Sequence, residues 1–294
     1  MNSSPASSGP SSVPADGDEI TVLRDLPYVR DGHQRQKLDL YLPAMGEKRP
    51  LIVWIHGGAF RMGSKEGNQY DIVPLPYVER GFAVASINYR LSQHAIFPAQ
   101  IEDCKAAVRW LRAHAQDYGL DANRVAAWGP SAGGHLSSML GTTGATTEFD
   151  VGAHLDQRSA VQCVVDWFGP TDFLQMDAQR RPDGMVHDAA DSPESELIGG
   201  PIQEHPDKVA RANPITYIGP ETPPFLVIHG DHDPLVPYGQ SLLLVDALRN
   251  AGVDVTFYAV EGGGHGQFND PQVAVITADF LDKHLGLTSM HCPK

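Results

Sequence analysis

Six continuous apolar runs constrain this chain more than any other feature: "LIVWIH" from residue 51, "FAVASIN" from 82, "RVAAWG" from 124, "VQCVVDWF" from 161, "PFLVIHG" from 224 and "VTFYAV" from 255. A strand with one face in water alternates apolar and polar residues, whereas a strand covered on both faces does not need to. Runs of this kind predict parallel strands sandwiched between helices. Segments of helical period fill the gaps. In "PAQIEDCKAAVRWLRAHAQDYG", Ile101, Cys104, Val108, Leu111, Ala115 and Tyr118 recur every three or four residues up to Gly119. "YGQSLLLVDALRNAG" stops at Gly252, and "PQVAVITADFLDKHLG" opens on proline and closes on Gly286. Strand alternating with helix implies right-handed crossovers and an α/β fold with a mostly parallel central sheet flanked by helices. "KLDLYL" reads differently. It puts Leu38, Leu40 and Leu42 on one face, as in a half-exposed antiparallel strand at the start of the sheet.

At 294 residues, 41% of them hydrophobic, the chain has material for one large core. Residues 1–19, rich in Ser, Pro and Gly, read as a disordered leader; 20–286 as the folded domain; 287–294 as a flexible tail holding Cys292. Between about 169 and 224 the rhythm breaks. That stretch, including "DAQRRPDGMVHDAADSPESELIGG", reads as a lid-like insertion over one end of the sheet.

A net charge of −14 argues against nucleic acid or an anionic membrane as partner. No apolar run is long enough to span a bilayer. No secretory signal follows the first methionine, so a cytoplasmic protein and a secreted one shown without its signal peptide read alike. Cys104, Cys163 and Cys292 are too few and too scattered for a disulfide framework or a metal site, and the first two read as buried, inert thiols.

Ligands of such sheets bind beyond the carboxyl ends of the strands. Four polar clusters fall there. "GPSAGG" after Trp128 places Ser131 in a G-x-S-x-G elbow, where small flanking residues let the backbone turn from strand into the helix-capable "SAGGHLSSML". A serine hydroxyl needs a base, and His265 in the glycine-rich "EGGGHGQF" is the candidate among thirteen histidines. His56, His135 and His229 read as structural hydrogen-bonding groups. "GDHDPLVP" offers Asp233 as the carboxylate orienting that base, with Asp231 as a turn cap. The order Ser131, Asp233, His265 is that of α/β-hydrolases. "HGGAF" supplies oxyanion donors at Gly58 and Ala59, joined by Ala132 after the nucleophile. Phe60, Trp167, Phe168 and Phe268 are the candidate substrate-binding aromatics, and Asp172 reads as a loop cap.

At these residues the chain resembles the α/β-hydrolase superfamily. It falls on the side of the hormone-sensitive-lipase-like carboxylesterases, nearest to the bacterial feruloyl and acetyl-xylan esterase-like group. "HGGAF", "GPSAGGHL", "GPTD" at 169–172, "NPITYI" at 213–218, "HGDHDPLVPYGQS" and "GGGHG" carry the resemblance, which covers about residues 20–286. Ala59 stands where typical hormone-sensitive-lipase relatives have a third glycine. The resemblance implies hydrolysis of carboxylic esters without cofactor or metal, through an acyl-enzyme on Ser131. The implied substrates are short-chain or aryl esters, small molecules or oligosaccharides, such as acetyl or feruloyl esters of plant polysaccharide. An arylformamidase-like amidohydrolase shares the loop and triad. A non-catalytic, ligand-binding protein of this fold would be expected to lack the histidine.

Overall fold

A computed structural model describes residues 20–44, 46–67, 72–266 and 268–286. The expected leader and tail lie outside them. Eight strands form one sheet: β1 Thr21–Pro27, β2 Lys37–Leu42, β3 Arg49–Ile55, β4 Ala83–Ile87, β5 Leu120–Pro130, β6 Cys163–Trp167, β7 Phe225–Gly230 and β8 Val255–Val260. Their spatial order is β1-β2-β4-β3-β5-β6-β7-β8. The β1–β2 and β2–β4 pairs are antiparallel and all others parallel. The helices are α1 Pro76–Glu79, α2 Ala99–Ala113, α3 Ala132–Thr142, α4 Met176–Gln179, α5 Pro193–Ile198, α6 Pro206–Ala212, α7 Gly239–Asn250 and α8 Pro271–Leu285. This is the α/β-hydrolase fold, and among the described residues no helix is long and apolar enough to cross a membrane.

The sheet divides two apolar layers. On one side Ile101 and Cys104 of α2, Leu136 and Met139 of α3, and Leu244 and Leu248 of α7 pack on Val53, Ala127 and Val164. On the other, Val78 of α1 and Phe280 and Leu281 of α8 cover Ile52, Trp54, Trp128 and Val165. Cys104 and Cys163 are free and buried, as the sequence suggests.

Three elements depart from expectation. β2 is buried on both faces: Asp39, which should face water, is fully buried and held by Lys65 at 2.8 Å and Arg24 at 2.9 Å. The ion pairs supply what solvent would, because β1 and β4 enclose β2 on both edges. β8, by contrast, is a sheet edge with exposed and half-buried residues, so its apolar run is only partly covered. Helix α2 ends at Ala113; His114 Nδ1 lies 2.8 Å from the Trp110 carbonyl, and turns occupy the rest of the way to Gly119.

The 169–224 stretch is less irregular than its composition implies. It carries three short α-helices and three 3-10 turns, and it buries Phe173, Met176, Leu197, Ile198 and Val209 in the α2/α3 layer. Capping side chains start two of these elements: Ser192 accepts from the Ser195 N–H ahead of α5, and Asp172 accepts from the Leu174 N–H at the first 3-10 turn.

Candidate active site

Ser131 sits where β5 becomes α3, with φ 55° and ψ −123°. A non-glycine residue there costs roughly 1–3 kcal/mol, which the surroundings must supply. They do so through close backbone contact. Ser131 N–H donates to the Trp167 carbonyl at 2.8 Å, and its own carbonyl accepts from His135 N–H at 3.0 Å. A Cβ on Gly133 would collide with the Ile55 carbonyl, and one on Gly129 would collide with Ile55 and Gly133. The glycines of G-x-S-x-G are thus what allow β3, β5 and α3 to meet at the elbow.

The loop after β3 arrives beside it. Gly58 (φ 109°), Ala59 (φ 54°) and Phe60 (φ 58°) are successive left-handed residues, a curl closed by Arg61 and Met62 N–H groups donating to the Gly58 carbonyl at 3.0 Å. A side chain on Gly58 would strike the Met62 backbone. Gly57, Gly58, Ala59, Ser131 and Ala132 all line one pocket of about 320 Å³. As the first residue of α3, Ala132 has an N–H with no acceptor inside the helix.

His265 lines the same pocket and is tied to Asp233: its Nδ1 lies 2.7 Å from Asp233 Oδ2. The carboxylate is saturated with donors. Oδ1 accepts from Leu235 N–H at 2.7 Å and Val236 N–H at 3.0 Å, and Oδ2 also faces His229 Nε2 at 3.1 Å. Burial alone would raise the Asp233 pKa. The hydrogen bonds from His229 and His265 outweigh it and hold the carboxyl well below the usual range. With Nδ1 donating to this anion, the neutral His265 keeps Nε2 as its acceptor nitrogen. Gly230 makes the approach possible, since a Cβ there would meet the Gly263 and Gly264 carbonyls of the histidine loop.

Asp231, as expected of a turn cap, accepts from Gly262 N–H at 2.7 Å and faces His232. His56 and His135 are fully buried; burial pushes their pKa values down to about 3 and about 4, so both are neutral at pH 7. His229 does more than the sequence suggests. Set four residues before Asp233 at the end of β7, it bridges Asp233, the Val236 carbonyl and Ser241 Oγ.

The four candidate aromatics separate into two groups. Phe60 and Phe168 line the pocket with Ser131, and Phe168 meets the His265 ring edge-on at 4.7 Å between centroids. Trp167 and Phe268 line an adjoining apolar cavity of about 310 Å³ with Trp54, Tyr77 and Trp128, beyond Phe168.

The insertion adds a pair that the sequence reading missed. His187 and Glu194 both line the pocket and are both buried. His187 Nδ1 lies 2.9 Å from Glu194 Oε2, and Nε2 lies 3.0 Å from the Leu235 carbonyl. Burial works against charge on the imidazole, but the Glu194 carboxylate prevails, and the His187 pKa stands above its ordinary value. No periodicity or motif marks these two residues; only the path of the insertion brings them here.

Residues 38–248 match the BD-FAE family. Esterase LipQ and the probable carboxylic ester hydrolase LipM of Mycobacterium tuberculosis are 30% and 31% identical over 266 residues, 87% of this chain. The chain spans 61% and 59% of the length of these relatives. Among solved structures, a truncated carbohydrate esterase from gut microbiota superposes with a TM-score of 0.83 at 36% identity, covering 90% of this chain and 96% of that one. A bifunctional GH43-CE protein of Bacteroides eggerthii gives 0.81 at 38% identity, over 90% of this chain and 38% of the other. The chain belongs to the BD-FAE family of the α/β-hydrolase superfamily.

Proposed function

We propose that this protein is a serine carboxylesterase acting through an acyl-enzyme on Ser131. The observation that carries the reading is the 2.7 Å contact between His265 and a four-donor Asp233, with His265 facing the pocket that also holds Ser131. His265 Nε2 takes the hydroxyl proton as Ser131 Oγ attacks the ester carbonyl. The oxygen that becomes negative is received by the N–H groups of Gly58, Ala59 and Ala132, each such donor contributing about 3–4 kcal/mol to the transition state. His265 then gives its proton to the departing alcohol. Water, deprotonated by the same imidazole, attacks the acyl-enzyme and releases the acid with Ser131 restored. Asp233 remains an anion throughout and stabilises the transient imidazolium.

Short-chain and aryl esters fit a pocket of about 320 Å³ walled by Phe60, Phe168, Met62 and Leu235. We take acetyl or feruloyl esters of plant polysaccharide as the natural substrates. The likeness to a structure described as a carbohydrate esterase and to a bifunctional GH43-CE protein supports that choice. The test is a hydrolysis profile from acetyl to long-chain 4-nitrophenyl esters, with methyl ferulate, acetylated xylan and N-formylkynurenine alongside. Covalent labelling by a fluorophosphonate should occur in the natural protein and vanish in Ser131→Ala. Turnover of 4-nitrophenyl acetate that survives Ser131→Ala would refute the mechanism, and faster formamide than ester hydrolysis would reassign the chemistry.

A further inference from the structure

The catalytic pocket has four polar side chains among its described lining residues: Ser131, His265, His187 and Glu194. The first two are occupied by the chemistry proposed above. The other pair has no part in it, yet it is built with care. His187 Nε2 faces a backbone carbonyl, which can only accept, so that nitrogen carries a proton. Nδ1 faces the Glu194 carboxylate, whose charge favours a proton on that nitrogen too, so the two residues are arranged to pair as imidazolium and carboxylate. Each side chain is about 95% buried or more.

Such a pair is a poor way to stabilise a fold. Two apolar residues of similar volume commonly serve as well or better, because neither ion then loses its hydration. Its neighbours in the wall, Met185, Pro193, Leu235 and Val236, are apolar. The pair also leaves a specific vacancy in hydrogen bonding. Glu194 Oε2 is taken by His187, while no protein group among the described residues donates to Oε1, and that oxygen is not among the sealed, unpartnered atoms. A carboxylate oxygen open to a pocket is a strong acceptor awaiting a hydroxyl.

We propose that Glu194 is a substrate-binding residue whose free oxygen accepts a hydrogen bond from a hydroxyl of a polyol, on the alcohol side of the ester, with His187 as the residue that positions it. The inference rests on the esterase reading and deepens it, since it selects sugar esters over esters of simple alcohols. The pair belongs to the insertion, and that element is anchored for the purpose: Asp177 accepts the backbone N–H of His187 at 2.8 Å and of Asp188 at 3.1 Å. The Leu235 carbonyl that receives His187 Nε2 belongs to the residue whose N–H donates to Asp233, so the sugar-reading carboxylate is held in register with the catalytic one.

The experiment compares kcat/KM for a methyl O-acetyl-β-xylopyranoside with that for 4-nitrophenyl acetate in the natural protein, in Glu194→Gln and in the double variant His187→Leu with Glu194→Met. The natural protein should favour the sugar ester by KM, and the ratio of the two values should fall at least about tenfold in both variants, the scale of one lost charge-assisted hydrogen bond. The double variant guards against misfolding, because it replaces the ion pair with apolar groups rather than stranding one charge. A ratio that stays constant while both activities fall together makes the pair a structural strap and overturns the proposal. A natural protein with no KM advantage for the sugar ester overturns it as well. Absence of all ester hydrolysis in the natural protein would instead sink the esterase reading itself.

Discussion

Replacing Asp233 with asparagine changes one atom and should cost almost all of the activity. The aspartate accepts four hydrogen bonds, two at each oxygen. Asparagine offers one accepting oxygen and one donating nitrogen. Leu235 and Val236 N–H are fixed donors from the backbone, so the amide oxygen must stay toward them, and the NH₂ group takes the place of Oδ2. There it confronts His229 Nε2 and His265 Nδ1. His265 relieves the conflict by shifting its proton to Nε2, the nitrogen that must receive the Ser131 proton. The equivalent change in a serine protease triad lowers kcat about 10⁴-fold, or about 5.5 kcal/mol of transition-state stabilisation. A similar loss is expected here, because the carboxylate is buried and the nearby Asp231 is committed to Gly262 and His232. The assay is kcat/KM on 4-nitrophenyl acetate at neutral pH, with circular dichroism to verify the fold. A loss below about tenfold in a folded variant would show that His265 does not depend on Asp233 for its tautomer, and the reasoning would fail.

His229→Gln keeps one hydrogen bond to Asp233 and loses the imidazole's other two, so kcat/KM should fall about tenfold, less than in Asp233→Asn; equal losses would mean that His229 is itself essential to the chemistry. Asp233 also ties stability to pH. Its folded pKa is depressed, so its contribution is present above the unfolded value of about 3.9 and drains away as pH falls toward the folded one. Urea midpoints should therefore decline more steeply below about pH 4 in the natural protein than in Asp233→Asn. Gly133→Ala drives a methyl group into the Ile55 carbonyl and should cost about 3 kcal/mol or more with loss of activity, whereas unchanged thermal stability would show that β3 and α3 can separate freely. Lys65→Met leaves Asp39 buried with Arg24 as its remaining cation and should destabilise by about 3 kcal/mol in denaturant titration without altering KM.

Legibility in the sequence followed the physics of each element. Parallel strands were readable because they must be apolar on both faces; β3, β4, β6 and β7 satisfy that condition with almost every residue buried, and so does the second half of β5, residues 125–130. β1 has no such signature. It is an edge strand, mostly exposed, held to β2 by backbone hydrogen bonds that any sequence can make. β2 misled in the opposite direction, since alternation of Leu with Lys, Asp and Tyr implies a wet face, whereas Arg24 of β1 and the distant Lys65 hold Asp39 inside. A partner 26 residues along the chain leaves no local trace.

The elbow and its partners were legible for a different reason. Backbone strain and close approach demand particular residues: glycines at 129 and 133 against Ile55, glycine at 58 against Met62, and glycine at 230 against the histidine loop. Chemistry of this kind writes itself into sequence because substitution there is sterically forbidden, not merely unfavourable. Pocket walls obey no such rule. His187 and Glu194 need only the right position in space, and that position is set by Asp177, the cap at Ser192 and the Leu235 carbonyl together. The elbow, the oxyanion loop and the approach of the histidine loop are therefore readable from one chain. The insertion's contribution to the pocket, Met185, His187, Pro193 and Glu194, is not readable in that way, because those side chains reach the wall without any strain on the backbone to announce them.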